Sequence, residues 1–421
     1  MINTQHRTMI NNTYRLSIAL LLLISMAQSA FAQMPDVKAE LKRDVSFLSS
    51  DDLEGRLPGT IGEIKAAEYI SMRMEEIGIL PKGTEGYLQK FNFTQRANPH
   101  AASNGDRPVG ARNVVGYLDN GAENTVVIGA HYDHLGYGSI GSLHTGEPAI
   151  HNGADDNASG VAMMLSLAKY LKQSELKNNN YVFIAFSGEE QGLLGSNYFI
   201  NNPTVPVESI NFMVNMDMVG RLQENNTISI GATGTASQWE TALEAANQDE
   251  LIMVYDPSGN GPSDYSSFCN KGIPALHFFT GQHSDYHKPS DDEEHINYDG
   301  MFTIYSIIER VLMDMDDEGK LTFINAQGPS TPGRARFTVT LGVMPDYLYD
   351  GEGMRLDGIL AGRIAEKAGF ESGDIVIAMD KTEVGDIYAY MDALSQYSAG
   401  DKAKIYILRD GKKMKKKVVF E

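Results

Sequence analysis

Between about residues 35 and 325, apolar strand-like segments alternate with segments of helical periodicity. The strand-like segments are rich in β-branched and aromatic residues and run into polar clusters: NTVVIGAHYD (124–133), NNYVFIAFSGEE (179–190), SINFMVNMDMVG (209–220) and GIPALHFFT (272–280). Between the first two, ASGVAMMLSLAKYLKQ (158–173) spaces its apolar residues as an amphipathic helix does. This order predicts an α/β fold with a mostly parallel mixed sheet sandwiched by helices. The carboxyl ends of such strands line the binding crevice, so the polar clusters should converge there.

The amino-terminal segment has the layout of a secretory signal peptide. Arg7 and Arg15 precede the apolar run LSIALLLLISM, and Ala30-Phe31-Ala32 offers a cleavage site before Gln33. We therefore predict a signal peptide at 1–32, export to the periplasm or the medium, and no membrane span after cleavage. An uncut signal anchor is the alternative.

Composition divides the rest of the chain into two folded units. Residues 33–325 carry the α/β pattern and are predicted to form one domain. The stretch 326–335 is rich in Gly, Pro and Ser and is predicted to be a linker. Residues 336–421 contain short strands, a Gly-rich connection and a hairpin with an Asp410-Gly411 turn, which predict a small β-rich domain.

The charge balance narrows the classes of partner. The formal net charge is −20, which argues against binding to nucleic acid or to anionic membranes, because both require clustered Lys and Arg. The basic run GKKMKKK (411–417) is interpreted as the solvated face of a hairpin strand. The single cysteine, Cys269, cannot form an intramolecular disulfide and has no neighbouring base in the sequence that would activate it.

Acidic and imidazole side chains follow the predicted strands. They are His131 and Asp133, Asp156, Glu189 and Glu190, Asp217, and His287. Each has an ordinary interpretation by itself: a helix cap for Asp156, a turn for Asp217, an exposed loop residue for His287. Because all of them are expected at one edge of one sheet, with nitrogen and oxygen ligands and no sulfur, they predict a two-zinc hydrolytic site.

The motifs HYDH, GADDNASG, SGEEQGLLGS, NMDMVG and DYHKPSDD, in this order and spacing, resemble the di-zinc exopeptidases of clan MH. That family includes bacterial leucyl aminopeptidases, aminopeptidase Y and glutamate carboxypeptidase, and the resemblance covers roughly residues 40–320. It implies a zinc exopeptidase fold of the phosphorylase/hydrolase-like type and two zinc ions.

The resemblance also assigns roles to single residues. It implies that His131 and Asp217 hold one zinc, that Glu190 and His287 hold the other, and that Asp156 bridges the two. By the same match, Glu189 is the general base and Asp133 orients His131. Asp155 and Asn157 match no ligand position and are expected to shape the turn that carries Asp156.

The function implied is an aminopeptidase that hydrolyses N-terminal residues from peptide substrates, using a water shared by two zinc ions. A carboxypeptidase or dipeptidase, or a glutaminyl cyclase with a single zinc, remains open within the same fold. A different class is a peptide-binding protein whose small carboxyl-terminal domain carries the function.

Two features depart from the family pattern. The segment HLGYGSIGSLHTGEPAIH (134–151) is longer than a minimal loop, and its His134, His144 and His151 either contact substrate or are ordinary loop histidines. In PSDYSSF, Tyr265 stands where the family commonly has His.

The carboxyl-terminal unit resembles a PDZ domain. TLGVMPDY (340–347) is similar to the carboxylate-binding loop, AEKAGFESGDIVIAMD (365–380) to the Ala-Gly-x-x-x-Gly-Asp segment, and DIYAYMDALSQY (386–397) to the groove helix. The resemblance implies binding of a peptide C-terminus by strand addition. A docked domain with an empty groove is the alternative.

Overall fold

The structure is a computed structural model that describes residues 37–95, 107–138, 141–326, 339–346, 349, 351–359 and 362–420. The predicted signal peptide, 1–32, lies outside the described residues, as does almost all of the predicted linker. Among the described residues, none of the helices is both long enough and apolar enough to cross a membrane.

The first unit consists of a sheet and the helices that cover it. Its strands are β1 (Leu80–Pro81), β2 (Leu88–Gln95), β3 (Arg107–Leu118), β4 (Asn124–His131), β5 (Asn179–Phe186), β6 (Ile210–Met216), β7 (Thr227–Gly231), β8 (Ile252–Tyr255) and β9 (Ala275–Phe279). Its helices are α1 (Val37–Leu48), α2 (Ile61–Ile77), α3 (Gly160–Gln173), α4 (Leu194–Asn201), α5 (Trp239–Ala246), α6 (Tyr265–Cys269) and α7 (Tyr298–Met315).

The sheet is parallel at its centre and antiparallel towards its edges. The strand order is β1-β3-β5-β4-β6-β9-β7-β8, and β2 also pairs with β3. Strands β5, β4, β6 and β9 run parallel to their neighbours in this group. Strand β3 is antiparallel to β5, and β7 is antiparallel to β9. Both β5 and β6 are buried along their whole length, which explains their mostly apolar sequences.

Helices cover both faces of this sheet. Alternate residues of β4 face opposite layers: Val126 and Ile128 belong to the apolar cluster that includes α1, α2, α3, α5 and α7. Val127 belongs to the cluster that includes Phe199 of α4 and Phe268 of α6. The sandwiched α/β architecture predicted from the sequence is therefore confirmed, and Cys269 is buried in the second cluster.

Local capping fixes where the long helices begin and end. Thr60 precedes α2, and its side chain accepts the backbone N–H of Glu63. The same helix ends at Gly78, whose φ of 85° is the left-handed conformation that glycine adopts without strain. Asn297 precedes α7 and accepts the N–H of Gly300 at 2.9 Å.

The second unit is a small antiparallel β structure with its own apolar core. Its elements are β10 (Val343–Pro345), β11 (Met354–Ile359), α8 (Ile364–Lys367), β12 (Ile375–Met379), β13 (Thr382–Glu383), α9 (Ile387–Leu394), β14 (Lys402–Arg409) and β15 (Lys412–Val419). The strand order is β10-β11-β12-β14-β15, with β13 paired to β12.

The predicted hairpin joins β14 and β15. Arg409 pairs with Lys412, so the turn contains only Asp410 and Gly411, which have φ angles of 51° and 71°. Positive φ at both positions is typical of the turn that matches strand twist in a two-residue hairpin. The lysines of β15 are largely exposed, as the sequence predicted.

Candidate metal centre

The parallel strands bring the predicted ligands to one edge of the sheet. Strand β4 ends at His131, β5 is followed by Glu189 and Glu190, and β6 is followed directly by Asp217. His287 lies in the loop after β9. Because these four strands run parallel, their carboxyl ends meet, as expected for an α/β crevice.

Asp156 lies in an irregular turn that leads into α3, and the peptide bond between Asp156 and Asn157 is cis. The neighbours of Asp156 tie this turn to the segment after β6. Asn157 Oδ1 accepts the N–H of Met218 at 3.2 Å, and Asp155 Oδ1 accepts the N–H of Gly220 at 2.6 Å. Both side chains therefore shape the turn.

The carboxylate of Asp156 lies between two imidazoles. Its Oδ1 is 3.3 Å from His131 Nε2, which is also 3.3 Å from Asp217 Oδ1. Its Oδ2 is 3.2 Å from His287 Nε2, which is 3.1 Å from Glu190 Oε2. A tetrahedral zinc ion with ligands at about 2.0–2.1 Å separates its ligand atoms by about 3.3 Å. The two sets of distances thus match the edges of two zinc tetrahedra that share Asp156.

The donor atoms fit this interpretation. Two groups of side chains offer ligand atoms within 4.8 Å of one another: His131, Asp156 and Asp217, and His134, Asp156 and Glu190. The second group contains His134 and not the expected His287, whose Nε2 nevertheless lies 3.2 Å from Asp156 and 3.1 Å from Glu190. His287 Nε2 is buried and has no hydrogen-bond partner among the described residues, although it faces two carboxylates. Imidazole and carboxylate ligands without sulfur are the donor set of hydrolytic zinc sites.

The electrostatics show how strongly this centre favours positive charge. Burial raises the pKa of Glu190, but His287 and His134 outweigh it and hold the pKa at about 2. Burial likewise raises the pKa of Asp156, and the surrounding imidazoles bring it well below its ordinary value. Burial lowers the pKa of His131, yet Asp217 and Glu189 keep it well above its ordinary value. The carboxylates are thus stabilised by cationic neighbours, a role that metal ions can take.

Glu189 lines the same cleft but belongs to neither ligand group. Burial raises its pKa well above the ordinary value, and the charges of Asp217 and Asp264 raise it further. Asp264 is itself fully buried, and this burial raises its pKa to about 7. A raised proton affinity is a property that a carboxylate general base needs.

Asp133 faces His131 with both its backbone carbonyl and its carboxylate. His131 Nδ1 lies 3.2 Å from the backbone carbonyl oxygen of Asp133 and 3.7 Å from its Oδ1. The carboxylate also accepts the backbone N–H of Glu189 at 3.1 Å. A backbone carbonyl is a regular partner for the ring nitrogen of a metal-binding histidine that does not contact the metal. Through its two contacts, Asp133 connects the segment of His131 with the segment of Glu189.

The histidines of the 134–151 segment differ in their surroundings. His134 is completely buried, and its Nδ1 lies 2.8 Å from Glu190 Oε1. His151 is also buried and contacts Ser142, whereas His144 is exposed. The sequence analysis identified His134 as a possible substrate contact, but it could not distinguish His134 from His144 and His151, because all three occur in one polar segment.

Two buried aspartates near the centre were not predicted. Asp291 accepts the backbone N–H groups of Asp155 and Asp156, and Asp264 lies next to Ser263, which donates to Asp217 Oδ2 at 2.7 Å. Asp291 lies in the motif DYHKPSDD and Asp264 in PSDYSSF, both of which were compared with the family pattern. Their place in these motifs was the one sequence signal that could have identified them as site residues.

An open cleft of about 730 Å³ leads from the ligands to a wall of rings. Tyr265 and His277 stack with 4.7 Å between ring centroids, Phe279 lies beside His277, and Tyr286 stacks on His287. Burial lowers the pKa of His277 to about 4, so this ring is neutral near pH 7.

Comparison with known protein families gives two matches. Residues 113–312 match the model of peptidase family M28, and residues 361–419 match that of the PDZ domain. Aminopeptidase YwaD of Bacillus subtilis is 31% identical over 187 residues, which cover 41% of this chain and 37% of that protein. Aminopeptidase Y of Saccharomyces cerevisiae is 26% identical over 249 residues, which cover 52% and 43%. The chain spans half or less of the length of these relatives.

Solved structures share the fold of the first unit. A zinc aminopeptidase from Bacillus subtilis superposes with a TM-score of 0.54 at 17% identity and covers 67% of this chain and 96% of its own. Porphyromonas gingivalis glutaminyl cyclase superposes with a TM-score of 0.53 at 18% identity, and the match covers 66% of this chain and 98% of the cyclase. A zinc-dependent exopeptidase from Parabacteroides distasonis superposes with a TM-score of 0.53 at 19% identity, and the match covers 66% of this chain and 99% of the exopeptidase. These similarities confirm the fold class predicted from the sequence.

Proposed function

Because the chain combines a peptidase family M28 region with a PDZ domain, we propose that it is a two-zinc aminopeptidase that removes N-terminal residues from peptides. The observation that carries the proposal is the position of Asp156. Its two carboxylate oxygens lie 3.3 Å and 3.2 Å from the Nε2 atoms of His131 and His287. Each of these imidazoles also lies beside a second carboxylate, that of Asp217 or that of Glu190. One carboxylate shared in this way by two imidazole–carboxylate pairs is the arrangement that a bridge between two metal ions requires.

The residues that would hold the metals follow from these contacts. His131 and Asp217 would hold one zinc ion, Glu190 and His287 the other, and Asp156 both. Bound there, two zinc ions would lower the pKa of a water molecule and polarise the peptide carbonyl.

Glu189 is the proposed general base. It lies in the cleft beside the ligands, and its buried position gives the carboxylate a high proton affinity. It would take the proton of the attacking water and later deliver it to the leaving amine. Asp133 accepts the N–H of Glu189, which fixes the backbone at this position. The rings that line the same cleft, Tyr265, His277, Phe279 and Tyr286, would receive the first side chain of the substrate.

The test combines metal analysis with a substrate panel on the full chain. Aminoacyl anilides, N-blocked peptides and C-terminal dipeptides are compared for wild type and Glu189→Gln, with the exposed Glu294→Gln as control. We expect two zinc ions per chain, activity on free-amine substrates only, and a loss of about 10²–10⁴-fold in kcat for Glu189→Gln with zinc retained. Unchanged turnover in Glu189→Gln would refute the assignment of the base.

A glutaminyl cyclase is the second candidate, because the cyclase of Porphyromonas gingivalis matches the fold as well as the aminopeptidases do. The same experiment separates the two activities. One zinc per chain and turnover only of peptides that begin with glutamine would favour the cyclase. Activity on C-terminal dipeptides or on free dipeptides alone would favour a carboxypeptidase or a dipeptidase.

The PDZ unit is proposed to bind a peptide C-terminus. Gly342, with a φ of 75°, precedes the short strand β10, and α9 supplies the helix expected beside the groove. Fluorescence polarisation with the full chain would compare a peptide that has a free carboxylate with its amide. Tighter binding of the free carboxylate is expected, whereas equal binding would point to a docked domain with an unused groove.

The protein is further proposed to be exported, on the basis of the predicted signal peptide at 1–32. Expression of the full sequence, cell fractionation and N-terminal sequencing would test this. A mature chain that begins at Gln33 outside the cytoplasm is the expected result, and an uncleaved chain in the membrane fraction would indicate a signal anchor.

A further inference from the structure

His134 contacts the predicted second zinc site beside His287, with 5.8 Å between the two ring centroids. The residue is completely buried. Its Nδ1 lies 2.8 Å from Glu190 Oε1 and 3.8 Å from Asp156 Oδ2. Its Nε2 has no hydrogen-bond partner among the described residues. Among the described residues, the closest polar contact of this ring is therefore the one with Glu190.

The contact of His134 with Glu190 is shorter than the contacts of His287 with Glu190 and Asp156. Ligand atoms of one tetrahedral zinc ion lie about 3.3 Å apart, and the contacts of His287 follow that spacing. The 2.8 Å contact of His134 is shorter, and it matches an N–H···O bond to a charged carboxylate, which is about 2.7–2.9 Å long. The two oxygens of Glu190 thus have different partners: Oε1 faces His134 and Oε2 faces His287.

We propose that His134 is a positioning residue that donates its Nδ1–H to Glu190 Oε1 and so presents Glu190 Oε2 to the second zinc ion. This inference rests on the two-zinc assignment made above. A carboxylate held through one oxygen cannot rotate away from the metal, and it remains a one-oxygen ligand. Partners of this kind typically change metal affinity by about 10–100-fold when they are removed.

The backbone around His134 fixes the orientation of the ring. Gly153 packs against it so closely that a Cβ at this position would lie 2.6 Å from His134 Cδ2. Gly153 also has a φ of 56°, which disfavours any side chain there. The ring therefore has little freedom to turn its Nδ1 away from Glu190, and the hydrogen bond is set before a metal binds.

Residues 131–134 would consequently serve both metal sites. His131 belongs to the site with Asp217, whereas His134 supports Glu190 in the site with His287. Loss of the His134 side-chain donor should weaken only the second site. This selectivity separates a positioning role from a general loss of stability, which would weaken both sites.

The experiment uses three substitutions in the full chain. His134→Asn places an amide N–H where Nδ1 lies, His134→Gln places it near Nε2, and His134→Leu removes it. Stepwise zinc binding to the metal-free protein is measured by competition with a chromophoric chelator, and circular dichroism checks the fold. His144→Asn, in the exposed part of the same segment, is the matched control.

We expect the first zinc ion to bind with wild-type affinity in all variants. The second should bind about 10–100-fold more weakly to His134→Gln and His134→Leu and close to normally to His134→Asn and His144→Asn. The comparison of Asn with Gln remains informative if the Leu variant does not fold.

Two results would overturn the inference. Unchanged affinity for the second ion in His134→Gln would show that the hydrogen bond has no role. An equal loss in His134→Asn and His134→Gln would show that the imidazole itself is needed, as a direct ligand. A wild-type protein that binds a single zinc ion would instead refute the two-zinc function on which the inference rests.

Discussion

The carboxylate of Asp291 accepts the backbone N–H of Asp156 at 3.0 Å. The same carboxylate accepts the N–H of Asp155, and the backbone carbonyl of Asp291 accepts the N–H of Ala154. The loop that carries His287 is thereby bound to the turn that carries the proposed bridging carboxylate. Asp291 thus helps to fix the positions of two proposed metal ligands, Asp156 and His287, which come from segments more than a hundred residues apart.

Substitution of Asp291 by alanine should loosen that turn. Two buried N–H groups would lose their acceptor, which costs about 1–3 kcal/mol in the free energy of unfolding. Urea denaturation of the metal-free protein measures this loss, and zinc titration should show weaker binding at both sites. Asp292→Ala is the control, because that partly exposed neighbour contacts the side chain of Asn152 and not the turn. Equal effects of the two substitutions would contradict the prediction.

Removal of the bridging carboxylate should differ from removal of a ligand that serves one site. Asp156→Ala is expected to abolish stable binding of both zinc ions, because each of its oxygens faces a different imidazole. Asp217→Ala should lose only the ion at His131. Zinc analysis after gel filtration gives the stoichiometry. If both variants retain the same amount of zinc, Asp156 does not bridge.

Acid should destabilise the protein partly through His277. Its pKa is lowered by burial to about 4 from an ordinary 6.5. The unfolded state therefore binds more protons between those pH values, and the free energy of unfolding falls as the pH drops from 6.5 to 4. His277→Gln should reduce this fall by about 3 kcal/mol. Urea titrations of the metal-free protein at pH 7 and pH 4 measure the difference.

The control for this prediction is His295→Gln, since His295 is exposed. It should keep the wild-type dependence of stability on pH. If His277→Gln also keeps the wild-type dependence, then His277 accepts its proton in the folded state as easily as in the unfolded state, and the prediction is wrong.

A buried ion pair stabilises the packing of α1 against α2. Arg73 donates two hydrogen bonds to Asp44, at 2.7 Å and 3.1 Å, and Tyr69 donates a third at 2.6 Å. Asp44→Ala would leave the guanidinium without its innermost partner and should cost about 3 kcal/mol of stability. Lys90→Ala, in the exposed pair with Glu85, should cost less than about 1 kcal/mol. Thermal denaturation compares the two, and similar losses would refute the expected effect of burial.

The sequence predicted the architecture because strand and helix periodicity are local properties. The apolar runs of β4, β5 and β6, the helical spacing of α3 and the Asp410-Gly411 turn each identify their own structure within a few residues. The order of these elements then permitted few topologies. The convergence of polar strand ends followed from the parallel order, and the named ligands do lie together in the structure.

The partners within the site could not be predicted in the same way. His134, His144 and His151 occur in one segment with similar composition, yet only His134 contacts Glu190. The backbone carbonyl oxygen of Asp133 lies nearer to His131 Nδ1 than its carboxylate does, at 3.2 Å against 3.7 Å, and no sequence pattern indicated this second contact. Such differences depend on ångström-scale packing, which periodicity and composition do not encode.

By itself, the sequence determined the fold class, the hairpin and the set of residues that converge at the sheet edge, because each depends on local periodicity, turn chemistry or strand order. The tertiary structure alone decided which oxygen of Asp156 and Glu190 faces which imidazole, and that Asp291 holds the turn of Asp156. These contacts join residues up to 136 positions apart, and their distances are fixed only when the whole core is packed.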